Sequence, residues 1–139
     1  MSRRHACNKE TELLYCRSAA VLDTHPARGS SFETLLIDQV ISAYRRVAPG
    51  SQPYFWRTAQ GDEVDLLMDL GPRRVPFEIK LASAPGRADV PGLRRCLRDL
   101  GLSRGYVLYP GRERYSLGDG VVALPAEATL ARPRDLVRL

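Results

Sequence analysis

Residues 54–80, YFWRTAQGDEVDLLMDLGPRRVPFEIK, decide the reading of this chain. Tyr54 to Thr58 is short, aromatic and bounded by turn residues, which is the composition of a strand. Ala59-Gln60-Gly61-Asp62 turns the chain, and Glu63 to Leu70 is mostly apolar, as suits a strand covered on both faces. Gly71-Pro72 turns it again, and Arg74 to Leu81 forms a third strand. Loops this short predict three consecutive antiparallel neighbours. Asp65 lies in the second strand after Val64 and before Leu66-Leu67-Met68, and Glu78 and Lys80 lie in the third among Phe77, Ile79 and Leu81. Charges in apolar strands are costly unless they are paired or bound to a metal. Residues two apart in a strand share a face, so Glu78 and Lys80 point the same way. A hairpin that sets Asp65 opposite them makes a site of two carboxylates and one ammonium. Two hard oxygen ligands, completed by waters and phosphate oxygens, are what Mg2+ takes. In such a site a bound cation polarises a phosphate and acidifies a bound water, and Lys80 steadies that water and the developing negative charge. A Glu78–Lys80 or Asp65–Lys80 ion pair at a wet strand end is the plainer reading of the same residues.

Upstream, Ser30 and Ser31 have the character of N-caps for a helix over 31–47, with Phe32, Leu35, Leu36, Val40, Ile41 and Tyr44 on one apolar face. Glu33 sits in its first turn, where a carboxylate either complements the helix dipole or reaches back to the sheet beside a metal. Pro49-Gly50 ends the helix. Further back, the segment 10–22, ETELLYCRSAAVL, predicts a short helix broken at His25-Pro26. His5 and His25 lie far in sequence from the acidic strands and read as loop or surface residues.

Downstream, the Gly/Pro-rich loop 82–87 leads into a helix from Asp89, the expected N-cap, to Leu100, with Pro91 in the first turn and Gly101 as C-cap. Leu93, Leu97 and Leu100 face the core, and Cys96 is expected to be buried and inert. Arg104 to Tyr109 is a buried strand, 111–120 a polar loop, and Val121 to Leu124 a last strand, with one short turn or helix in the tail. The order α-β-β-β-α-β-β predicts an α/β fold, a mixed central sheet flanked by helices. Arg87, Arg94, Arg95 and Arg98, with Arg73 and Arg74, are candidates for a phosphate-contacting surface, or else form a solvated helix face. Tyr54 and Trp56 are able to stack on bases, but strand aromatics are more often core.

At 139 residues the chain is one domain with an ordinary globular composition. Its expected divisions are an N-terminal extension 1–27, a domain 28–127 and a tail 128–139. No apolar run approaches the roughly 20 residues of a membrane helix, and no signal-peptide pattern is present. Three cysteines, Cys7, Cys16 and Cys96, without CxxC or zinc spacing, predict reduced thiols and a cytoplasmic protein. The net charge of +5 permits nucleic-acid binding without requiring it. Nearly all of the basic charge is arginine, the lysines being Lys9 and Lys80. Where arginine serves elsewhere, a compact ammonium beside a metal-bound water is one reason for a lysine at position 80.

The succession helix-Glu33, strand-Asp65, strand-Glu78-x-Lys80, helix resembles the PD-(D/E)XK nuclease superfamily, with the restriction-endonuclease-like α-β-β-β-α-β core. The resemblance implies that Asp65 and Glu78 bind Mg2+ or Mn2+, that Lys80 assists the water, and that Glu33 joins the same site. GSSFETLLIDQVIS, YFWRTAQGDEVDLLM, VPFEIKLASAP and RGYVLYPGRERYSLGDGVVALP, spanning roughly 25–127, look like the C-terminal domain of unknown function carried by many bacterial and archaeal AAA-type ATPases. This sequence contains no GxxxxGK[ST] phosphate loop, so the resemblance implies a version of that domain without its ATPase module. Two functional expectations follow. One is a metal-dependent nuclease acting on DNA; the other is a catalytically silent DNA- or protein-binding module with a separate ATPase chain as partner. Homodimers are common in this fold class, and no membrane association is expected.

Overall fold

A computed structural model of the chain describes Thr11–Tyr15 and residues 31–139. His5, His25, Cys7 and Cys16 lie outside the described residues. The described elements are strand β1 (Thr11–Tyr15), helix α1 (Ser31–Val47), strands β2 (Gln52–Thr58), β3 (Glu63–Asp69) and β4 (Arg74–Ile79), a 3-10 turn (Arg87–Asp89) and helix α2 (Pro91–Leu100). Strands β5 (Gly105–Tyr109), β6 (Tyr115–Gly118) and β7 (Val121–Pro125) follow, then two short helices, α3 (Ala126–Leu130) and α4 (Pro133–Leu136). The seven strands form one sheet in the order β1-β2-β3-β4-β5-β7-β6. The expected α/β class and the β2-β3-β4 meander are both present, the latter as two antiparallel pairings. From β4 the sheet turns parallel, through β4–β5 and β5–β7, and β6 closes the far edge antiparallel to β7.

Each face of the sheet carries its own core. On one side Ile37, Val40, Ile41 and Tyr44 of α1 pack on Leu66, Met68, Phe77 and Leu108. On the other, Leu93, Cys96 and Leu97 of α2 pack on Trp56, Val64, Val107 and Val121. Phe77 sits between Tyr44, at 6.0 Å between ring centroids, and Tyr106, at 5.8 Å, so the inner face of β4 is clamped from helix and neighbouring strand alike. Pro76 is tolerated in this central strand because the β5 ladder begins only at the Phe77–Tyr106 pair, where a donor is first needed. Helix α2 lies so close on β3 that a Cβ on Gly92 would stand 2.6 Å from the Glu63 carbonyl oxygen.

Several local expectations change. Thr11–Tyr15 is a strand, not the start of a helix, because it pairs with the edge of β2 and so satisfies backbone groups that a helix would leave open there. Phe32 and Leu35 are exposed, since the stripe of α1 that meets the sheet runs through Leu36, Ile37, Val40 and Tyr44. The expected loop 111–120 contains β6, a four-residue strand turned into β7 through Asp119 at φ 52. Asp89 is not the N-cap of α2. Val90 holds that place with Pro91 next, and the Asp89 carboxylate instead accepts the N–H of Gly86. Pro91, the Gly101 cap and the buried Cys96 stand as expected. The tail is part of the core: Leu136 is fully buried against α1, and the Tyr44 and Tyr106 hydroxyls donate to the carbonyls of Leu136 and Leu139 at 2.9 and 3.0 Å. Among the described residues no helix is long and apolar enough to cross a membrane.

Tyr44→Phe removes the buried bond to Leu136 while keeping the ring against Phe77. It is expected to lower stability by about 1–2 kcal/mol, read from the denaturant midpoint of the purified protein. An unchanged midpoint would mean that the tail is not held to the core through this hydroxyl.

Candidate functional site

The β3–β4 ladder runs from Asp69–Arg74 to Leu66–Phe77. One further pair in that register would set Asp65 against Glu78. Instead the Asp65 side chain takes over from the backbone, its Oδ2 accepting the Ile79 N–H at 2.7 Å. Beyond β4, the Lys80 N–H is taken up by the Leu108 carbonyl of β5 at 3.0 Å. The two strands therefore part with a carboxylate in the gap between them. Val75, Phe77 and Ile79 belong to the α1-side core, so alternation along β4 turns Glu78 and Lys80 toward the α2 side.

Lys80 Nζ stands 2.7 Å from Glu78 Oε1, with the two side chains 33% and 11% exposed. The other carboxylate oxygen, Glu78 Oε2, is buried and has no hydrogen-bond partner. Burial pushes the Glu78 carboxyl up to about 7 from its ordinary 4.5, against the downward pull of the Lys80 hydrogen bond and charge, while Asp65 and Asp89 add to the rise. Burial acts on Lys80 in the opposite sense, but the hydrogen bond and charge of Glu78, with Asp65 and Asp89, outweigh it and hold the ammonium above its usual range. Near neutral pH the site thus contains a firm cation beside a carboxyl poised between its two forms.

Asp65, Glu78 and Lys80 are brought together as the sequence predicts. Glu33 lies on the same stripe of α1 as Ile37, Val40 and Tyr44, so it is half-buried and turned toward the sheet rather than toward open solvent. It reaches the sheet on the face opposite to Glu78 and Lys80. Among the described residues no group of three or more His, Cys, Asp or Glu is placed to hold a metal ion by itself. The four arginines occupy two separate networks. Arg87 Nη2 and Arg94 Nε meet Asp119 Oδ2 at 2.6 and 3.3 Å, and Arg94 also donates to the Arg87 and Leu117 carbonyls. Arg95 meets Asp62 at 3.1 Å and Asp99 at 3.8 Å. Arg98 is exposed and lines a shallow hollow with Arg94, Leu97, Leu102 and Asp119. Trp56 is fully buried and is not a base-stacking platform, whereas Tyr54 is half-buried. Sequence reading missed Asp119 as the organiser of the arginines, because its partners lie about 25 to 32 residues away; its one local signal is the Gly118-Asp119-Gly120 turn.

Two variants separate structure from chemistry here. Without metal, the Glu78 carboxyl is neutral in the folded chain at pH values where the unfolded chain already ionises it, so its contribution to stability is present at low pH and lost between about 4.5 and 7. Glu78→Gln should therefore gain on the wild type by roughly 2–3 kcal/mol between about pH 4 and pH 8, read as thermal midpoints in EDTA; a constant difference would contradict the burial of this carboxyl. Asp65→Asn keeps an oxygen acceptor for the Ile79 N–H, whereas Asp65→Ala orphans it. The alanine variant is expected to be about 1–3 kcal/mol less stable than the asparagine one, and equal stabilities would remove the structural role of the bond.

Residues 28–129 match the family model described as "Domain of unknown function (DUF4143)". The chain is 38% identical over 109 residues to the uncharacterized protein Rv2008c of Mycobacterium tuberculosis and, to the same degree, to the uncharacterized protein Mb2031c of Mycobacterium bovis. The match covers 78% of this chain and 23% of each relative, so the chain spans about a quarter of their length. No solved structure matches it. The segment 28–129 comprises α1, the β2-β3-β4 meander that carries Asp65, Glu78 and Lys80, and nearly all that follows. The chain belongs to the DUF4143 family.

Proposed function

We propose that this domain is a divalent-metal-dependent, nuclease-like module of PD-(D/E)XK type that hydrolyses phosphodiester bonds in DNA in the cytoplasm. The observation that carries this reading is the meeting of Asp65, Glu78 and Lys80 where β3 and β4 part, with Glu78 Oε2 buried and without a hydrogen-bond partner. Asp65 and Glu78 are the residues that would hold Mg2+ or Mn2+. Two carboxylates suit such an ion when waters and phosphate oxygens fill the rest of its shell. When bound, the ion supplies Lewis-acid polarisation of the phosphate and a more acidic water. Glu78 gives up its proton readily near neutrality, so it becomes an anionic donor at little expense in pH. Lys80 keeps its proton and places positive charge beside Glu78, where negative charge on a phosphoryl group would otherwise be unopposed. Asp65 holds the parting strands in register through Ile79 and so fixes the distance between the other two. Arg98 is exposed toward solvent and is available for phosphate contact.

A second reading is a catalytically silent module that binds DNA or a protein, with a separate ATPase chain as a candidate partner. It is favoured by the direct Glu78–Lys80 ion pair and by the Asp65–Ile79 bond, which give all three residues work within the fold.

A cleavage assay on linear and single-stranded DNA with Mg2+, Mn2+ or EDTA decides between them, comparing the wild type with Asp65→Asn and Lys80→Ala. Metal-dependent cutting that falls by at least about 100-fold in both variants is expected of the nuclease. A folded wild type that binds DNA without cutting it would move the assignment to the silent module.

A further inference from the structure

Lys80 leaves β4, and ten residues later the chain returns over the same face of the sheet as α2. Val90, at the head of that helix, is fully buried, and Gly92 sits directly against the Glu63 backbone, two residues before Asp65. Between Lys80 and α2 lies the Arg87–Asp89 turn. Its last residue, Asp89, is exposed, and the Asp89 carboxylate is oriented by its own loop, Oδ2 accepting the Gly86 N–H at 2.6 Å. The turn is tied down from the β6–β7 hairpin. Tyr115 donates its hydroxyl to the Pro85 carbonyl at 2.8 Å, Arg94 donates to the Arg87 carbonyl at 2.8 Å, and Arg87 pairs with Asp119 at 2.6 Å. The Asp89 charge acts on both Glu78 and Lys80, raising each.

The site also has a feature that points to a ligand. Glu78 is 8% exposed, and its Oε2 is buried with no hydrogen-bond partner. Asp89 does not complete a ligand set, since no three acidic or imidazole groups among the described residues are within ligating reach of one ion. We infer that Asp89 is a positioning residue of the Asp65–Glu78–Lys80 site, a third carboxylate pinned by the hairpin on the side to which Glu78 and Lys80 point, which draws a divalent cation toward Glu78 without ligating it. The inference rests on the metal reading above. It explains why an exposed turn is held by three separate contacts from a distant hairpin: a charge that acts through space works only if its place is kept.

The test is Mn2+ binding to the full chain by calorimetry at low salt, for the wild type, Asp89→Asn and Asp89→Glu, with thermal midpoints in EDTA as a check on folding. Asparagine keeps an oxygen for the Gly86 N–H and removes only the charge. Asp89→Asn should bind roughly three- to tenfold more weakly, as befits one exposed charge, and the gap should narrow in about 0.5 M KCl. Asp89→Glu should stay within about twofold of the wild type, because the charge is kept. Equal affinity of wild type and Asp89→Asn would overturn the inference and leave the metal reading standing. A loss of about 100-fold or more that persists in high salt would make Asp89 a direct ligand, against the role assigned here. A wild type that binds no Mn2+ would overturn both.

Discussion

The arrangement around Asp65 depends on one substitution of a side chain for a backbone group. The β3–β4 ladder ends at Leu66–Phe77, and the next donor, the Ile79 N–H, is met by the Asp65 carboxylate. Closing the ladder with a carbonyl would zip the strands together and leave no space between them; leaving the donor unmet would cost about 1–3 kcal/mol. A carboxylate does neither. It satisfies the donor, keeps the strands apart and brings an anion to the opening. Phe77, one step back, is clamped between Tyr44 and Tyr106, so β4 cannot slide to relieve the gap. A one-residue slip would carry Phe77 and Ile79 out of the core and Glu78 and Lys80 into it.

The same geometry sets the electrostatics. Glu78 is buried enough for desolvation to dominate its carboxyl, and Lys80, half-exposed, is governed by its partners instead. The arginines that look in sequence like a phosphate surface are largely occupied. Arg87 and Arg94 converge on Asp119, and Arg95 on Asp62 and Asp99. Their charge is spent on tying the β6–β7 hairpin to the loop before α2 and on fastening α2 to the β2–β3 turn. A positive surface is therefore narrower than a count of arginines suggests, with Arg98 its exposed member on α2.

What was legible in the sequence was whatever depended on local periodicity and turn chemistry: the meander, α1, α2 with Pro91 and Gly101, and the shared face of Glu78 and Lys80. The pairing of β1 was not, since a five-residue segment becomes a strand only because β2 offers it an edge. Strand β6 was hidden for a related reason, its exposed positions and glycine-rich turn giving it the composition of a loop. Phe32 and Leu35 were assigned to the buried face because three- and four-residue spacing alone does not say which of two adjacent stripes meets the sheet. Glu33, by the same rotation, proves to lie on the sheet-facing stripe. The Asp119 network was illegible because ion pairing across the sheet leaves no periodic trace.

Of the three residues in the gap, two have complete structural accounts. Asp65 meets the Ile79 N–H, and Lys80, partly in solvent, gains from any nearby carboxylate. Glu78 has no such account. An apolar side chain of similar volume at that position would pack between its neighbours without desolvating a charge, and replacing buried ion pairs in this way is often neutral or stabilising. Glu78 instead carries a carboxyl pushed up to about 7 and an oxygen with no partner. Its burial works against stability at the pH of most cells, and the direct bond to Lys80 returns only part of that loss, because one oxygen remains unmet. A group that the fold alone would be better without is accounted for by something the fold is meant to hold. The unmet oxygen, beside Asp65 and facing the side of Asp89, is the place to look for it.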